Sequence, residues 1–126
     1  MSNDNVQLVQ TAYEAFGRGD IPAVLEALTE DVDWNVPEVL PHGGHAQGRE
    51  EVGQFFQRIA DTWEDFDVDV RDIVASGDRV CVVGAVGGKL NGAQTGYGFV
   101  HAWTVSDGSL ARLDEYVDPS PELLQR

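Results

Sequence analysis

Two residues near the end of this chain have the types and surroundings needed to move a proton. His101 lies in Phe99-Val100-His101-Ala102-Trp103, and Glu115 lies in Leu113-Asp114-Glu115-Tyr116-Val117. A histidine and a carboxylate in a dry setting can take, hold and return a proton, which is the work of general acid–base catalysis. His101 and Glu115 are therefore the candidate catalytic pair. Whether they meet depends on the turn between them. If Ser106-Asp107-Gly108 forms a three-residue loop with Gly108 left-handed in a bulge, Val105 pairs with Ser109, Phe99 faces Glu115 and His101 faces Leu113. Phe99, His101, Trp103, Leu113, Glu115 and Val117 then share one face, and Arg112, Asp114 and Tyr116 the other. The pair would be diagonal neighbours about 5 to 8 Å apart. A two-residue Asp-Gly turn would set His101 beside Asp114 and spoil the pattern, so the bulged loop is preferred.

The other candidates would bind rather than react. Tyr13, Trp34, Asn35, His42, Phe56, Trp63, Phe99 and Trp103 are aromatic or hydrogen-bonding residues suited to lining a pocket for a small, largely apolar molecule. Most aromatic residues in a small domain serve the core, and that reading stays open for each of them. His42 and His45, with Glu38 nearby, could give two or three zinc ligands. No cysteine or further ligand pattern supports this, so they are read as pocket-rim histidines, with no metal and no cofactor. Cys81, between Val80 and Val82, reads as core. There is no nucleophilic serine or cysteine motif, and no glycine-rich phosphate loop opens a helix.

These residues need a scaffold, and the spacing supplies one. Val6, Val9, Ala12, Tyr13 and Phe16 recur at helical steps, and Gly17 and Gly19 stop them. Asp20 caps a second short helix that ends near Thr29, and Val32 to Val36 alternates like a strand closed by Pro37. Glu38 to Gln47 reads as an irregular loop. Gly48 to Trp63 returns to helical spacing, and four strands follow at about 66–74, 79–90, 95–105 and 109–117, parted by hairpin signals. Residues from about 119 to 126 read as a loose tail. Helices first and a strand meander last imply α+β.

At 126 residues with one cysteine, the chain reads as one domain in a reducing, cytoplasmic setting, with no secretory signal or membrane span. Its net charge of −14, with 22 acidic against 8 basic residues, repels phosphate backbones and anionic lipid. Nucleic-acid and membrane partners are therefore disfavoured, and none is expected. The charge suits a solvated acidic coat, or adaptation to a salt-rich cell interior.

Element order and local wording together resemble the nuclear transport factor two-like superfamily, and within it the SnoaL-like (ketosteroid isomerase-like) group. The matching stretches are Ala12-Tyr13-Glu14-Ala15-Phe16 into Arg18-Gly19-Asp20, Asp31-Val32-Asp33-Trp34, Gly48-Arg49-Glu50-Glu51-Val52, and His101-Ala102-Trp103-Thr104-Val105 through Asp107-Gly108 to Glu115-Tyr116-Val117-Asp118. The resemblance implies three helices on a strongly curved, mostly antiparallel sheet around a conical pocket, a cystatin-like α+β barrel. It also implies a homodimer through the outer sheet face, which is expected to carry Ala102, Thr104, Leu110 and Tyr116. Members include ketosteroid isomerases, polyketide cyclases, scytalone dehydratase and limonene epoxide hydrolases. The isomerase base falls on Val36, its helix-one tyrosine on Ala12 and its oxyanion donor on His101. The epoxide hydrolases' asparagine falls on Asn35 and their water-activating aspartate on Glu115, but their tyrosine falls on Asp33, and no charge stands at 82–86. Two readings result: an acid–base enzyme for a carbonyl, enol or ring compound, or a binding protein for a hydrophobic metabolite.

Overall fold

The computed structural model describes residues 2–125. The first helix, α1 (Ser2–Gly17), buries Val9, Ala12 and Ala15, one side of its surface. Its end is closed by bonds from the Asp20 amide to the Ala15 carbonyl and from the Gly19 amide to that of Phe16. Asp20 then caps α2 (Ile21–Glu26), its carboxylate accepting from the Ala23 amide with Pro22 in the first turn. Helix α3 (Gly48–Thr62) turns Val52, Phe55 and Ile59 inward, and Glu50 and Glu51 in its first turn suit the positive end of the helix dipole.

Six strands make one sheet: β1 (Leu28–Val36), β2 (Gly44–Gln47), β3 (Trp63–Ser76), β4 (Arg79–Leu90), β5 (Ala93–Ser106) and β6 (Ser109–Pro119). Their spatial order is β2-β1-β6-β5-β4-β3. All neighbours are antiparallel except β1 and β6, so the sheet is mixed, curled and unclosed. The helices cover its concave side, as expected for this α+β class.

Several differences from the sequence reading have physical causes. Within the expected loop, Gly44 to Gln47 forms β2, which pairs with Asp33 to Val36 and covers an otherwise free edge. At the end of the chain, Pro121–Gln125 is a short helix rather than a loose tail. The Ser120 hydroxyl accepts from the Leu123 amide there, and Leu123 is buried in the core. The third difference is the last hairpin. Its turn is the two residues Asp107 and Gly108, both left-handed, between paired Ser106 and Ser109. The extra residue is Ala111, which bulges between the pairs Val105–Leu110 and Thr104–Arg112. His101 therefore faces Glu115 directly, and Phe99 faces Val117. The same bulge turns Leu110 inward, where it is fully buried, so it is not part of the outer face. Cys81 is half-buried on the side away from core residues Val80 and Val82.

Candidate functional site

Strand parity brings Tyr97, His101, Trp103, Leu113 and Glu115 to the concave side of the sheet, beneath Ala12, Tyr13 and Phe16 of α1 and Phe55, Phe56 and Ile59 of α3. Together they enclose a narrow cavity with an interior volume of about 80 Å³. Its walls are almost wholly apolar. Trp34 sits at ring distances of 5.5 to 5.7 Å from Phe55, Phe56 and Trp103, each close to edge-on.

Polar groups enter this space at two places. At the first, Glu115 is buried and its Oε2 lies 3.2 Å from His101 Nε2. The other imidazole nitrogen, Nδ1, is hydrogen-bonded to the Tyr13 hydroxyl, and that hydroxyl accepts from Trp103 Nε1 at 3.0 Å. Phe99 stacks on the His101 ring at a centroid distance of 3.9 Å, fixing its plane. Burial pushes the Tyr13 phenol far above its ordinary pKa; the Trp103 bond opposes this, and the Glu115 charge adds to it. Tyr13 therefore keeps its proton and presents it to His101 Nδ1, which leaves the imidazole's own N–H turned toward Glu115. A carboxylate, an imidazole and a group that orients the imidazole form an arrangement able to pass a proton.

The second polar group is His42, 1% exposed. Trp63 Nε1 donates to its Nδ1 at 3.1 Å, and Tyr97 Oη lies 3.3 Å from its Nε2. The loop carrying it closes tightly on Pro37. A side chain at Gly43 would place its Cβ 1.9 Å from the Pro37 carbonyl oxygen, so glycine is required there.

Of the ten residues singled out from sequence, Tyr13, Trp34, His42, Phe56, His101, Trp103 and Glu115 line this one cavity. Trp63 stands behind His42, and Phe99 stands behind His101. Asn35 does not join them. Its side chain donates to the Leu113 carbonyl at 3.3 Å and borders a separate outer groove. His45 also diverges from His42, lying at the surface 2.7 Å from Asp33. Among the described residues, no three His, Cys, Asp or Glu side chains gather around one point, and no helix is long and apolar enough to cross a membrane. Tyr97, which from sequence reads as core or pocket lining and shares the parity of Phe99 and His101, lines the cavity as well.

Comparison with known proteins agrees with this architecture. An NTF2-like protein of unknown function from Burkholderia pseudomallei is 32% identical, with a TM-score of 0.85 over 91% of each chain. TerC, co-crystallised with polyporic acid, is 28% identical, with a TM-score of 0.83 over 91% of this chain and 92% of its own. A proposed polyketide cyclase from Xanthomonas campestris is 30% identical, with a TM-score of 0.75 over 93% of this chain and 92% of its own. No functionally curated protein matches the chain. Residues 9–113 match the SnoaL-like domain, and the chain belongs to that family.

Proposed function

We propose that this protein is a cofactor-independent acid–base enzyme acting on a small apolar carbonyl, enol or ring compound, with Glu115 and His101 as its proton-handling pair. The observation that carries the reading is a buried carboxylate 3.2 Å from an imidazole at the wall of an otherwise apolar cavity. Apolar walls hold a ring by excluding water, and the carboxylate is the acceptor that can take a proton from a carbon next to a carbonyl. His101, oriented by Tyr13 and Phe99, supports that carboxylate and can relay the proton. The likeness to a proposed polyketide cyclase agrees with ring chemistry of this kind.

The test needs no knowledge of the natural substrate. Cyclohexenone and indanone are incubated with the protein in heavy water, and loss of their α-hydrogens is followed by proton NMR. Wild type should exchange them well above the buffer rate, and Glu115→Gln should be slower by about a hundredfold or more. His101→Phe should fall similarly, and the double variant little further, because the two act as one unit. Exchange by wild type no faster than by Glu115→Gln would sink the proposal and leave a binding protein for a hydrophobic metabolite.

A further inference from the structure

The cavity's polar side chains form two chains of contacts, and each starts at an indole. An indole N–H can only donate, so each chain has a fixed direction. The first runs from Trp103 through Tyr13 and His101 to the Glu115 carboxylate, and so ends on an acceptor. The second starts at Trp63 Nε1, which donates to His42 Nδ1. That nitrogen must present its lone pair, which in a neutral imidazole leaves the proton on Nε2. At the 3.3 Å contact the imidazole therefore donates and the Tyr97 oxygen accepts. The proton of Tyr97 must then point elsewhere. Tyr97 is buried and lines the cavity, and no described residue is seen to accept that proton. Burial first, and the Glu115 charge second, hold its pKa well above the ordinary tyrosine value, so the hydroxyl keeps the proton it offers.

Trp34, on β1, adds a second donor to the cavity. Its Nε1 is buried and bonds to nothing among the described residues. A buried donor without a partner costs about 1 to 3 kcal/mol, a cost that an incoming oxygen removes. Tyr97 and His101 share the inward face of β5 four residues apart, about 13 Å along the strand. An acceptor bound at Tyr97 is therefore displaced along the strand from the His101–Glu115 pair.

We infer that the His42 end of the cavity is a binding subsite for a carbonyl oxygen of the ligand, which takes its hydrogen bond from Tyr97 Oη. His42 and Trp63 are positioning residues that make Tyr97 a donor there. The inference rests on the ligand cavity of the proposed function but not on its proton transfer.

Acetophenone and ethylbenzene have nearly the same shape and differ in that oxygen. In calorimetric titrations wild type should bind acetophenone about tenfold more tightly, the value of one net buried hydrogen bond. In Tyr97→Phe the preference should vanish while ethylbenzene binding stays the same, and Trp63→Phe should reduce it. The infrared carbonyl stretch of bound acetophenone should lie lower in wild type than in Tyr97→Phe, which a purely structural role for Tyr97 would not produce. Asp33→Asn, on the outer side of the sheet, should keep both preference and stretch. If wild type fails the exchange test but shows this Tyr97-dependent preference, the enzyme proposal fails and the subsite stands. An unchanged preference and stretch in folded Tyr97→Phe would overturn the subsite. So would wild type binding neither probe, or binding both equally.

Discussion

His101 with Glu115 and His45 with Asp33 pair the same side-chain classes on opposite sides of one sheet. The inner pair is 3.2 Å apart with side chains 13% and 5% exposed. The outer pair is closer, at 2.7 Å, but its side chains are 55% and 31% exposed. Distance alone would rank the outer pair first. Water reverses the ranking, because an exposed ion pair is screened and typically contributes under about 1 kcal/mol. The outer pair belongs to a wet network in which Arg112 reaches Asp33 at 2.6 Å and grips both oxygens of Asp114 at 2.9 and 3.2 Å. The inner pair has the Tyr13 hydroxyl and the Trp103 indole in its network and is shielded from solvent. One neighbourhood can use a proton; the other is a solvated ion-pair network.

The largest expected contrast is in proton exchange. Glu115→Gln should lower it about a hundredfold, whereas Asp33→Asn, on the wet side, should change it less than about twofold. A comparable loss in both variants would erase the distinction. Alkaline stability comes next. Tyr13 and Tyr97 have raised pKa values in the fold, so both states are protonated below about pH 10. Above it the unfolded chain loses protons that the folded chain keeps. Stability should then fall by up to about 1.4 kcal/mol per pH unit for each tyrosine, and urea unfolding of Tyr13→Phe and Tyr97→Phe should show a shallower decline.

A smaller effect is expected at neutral pH. Tyr13→Phe removes the partner of Trp103 Nε1 and His101 Nδ1 and should cost about 1 to 3 kcal/mol in urea unfolding. His45→Ala should cost less than about 0.5 kcal/mol. The smallest signal is local. The hydrogen bond from His45 is the leading cause that holds the Asp33 carboxyl below the ordinary carboxylate range. Its stabilising effect is present above that range and fades as pH falls through the lowered value. Carbon NMR of Asp33 should therefore show its midpoint rising in His45→Ala, and an unmoved midpoint would assign the shift to Arg112.

The sequence made the inner face legible because strand parity needs no knowledge of exact pairing. Phe99, His101 and Trp103 alternate, as do Leu113 and Glu115, so the two residues fall on one face under the expected turn and under the observed one, although the three-residue loop makes them diagonal and the structure makes them directly opposed. A three-residue loop and a two-residue turn with a later one-residue bulge give the same parity from Arg112 onward, and nothing in Ser109 to Arg112 tells them apart. The price of that ambiguity was Leu110, placed outside and found inside. Strand β2 was invisible because Gly44-His45-Ala46-Gln47 has no alternation of its own and forms only against β1. The polarity of His42 was equally hidden, since it depends on Trp63, 21 residues away in sequence.

Ala111 has a consequence for how the gene can change. Removing one residue from a strand normally shifts the reading frame of its faces, sending every later core side chain into solvent. In β6 the frame is already offset by one spare letter. Deleting Ala111 would leave Leu110, Leu113 and Glu115 on their present side and straighten the ladder between them, whereas deleting Arg112 or Asp114 would remove a paired residue of that ladder. A single codon can thus be lost at that point without rewriting the pocket, and a library of one-residue deletions across 109–117 should retain folded protein most often at position 111.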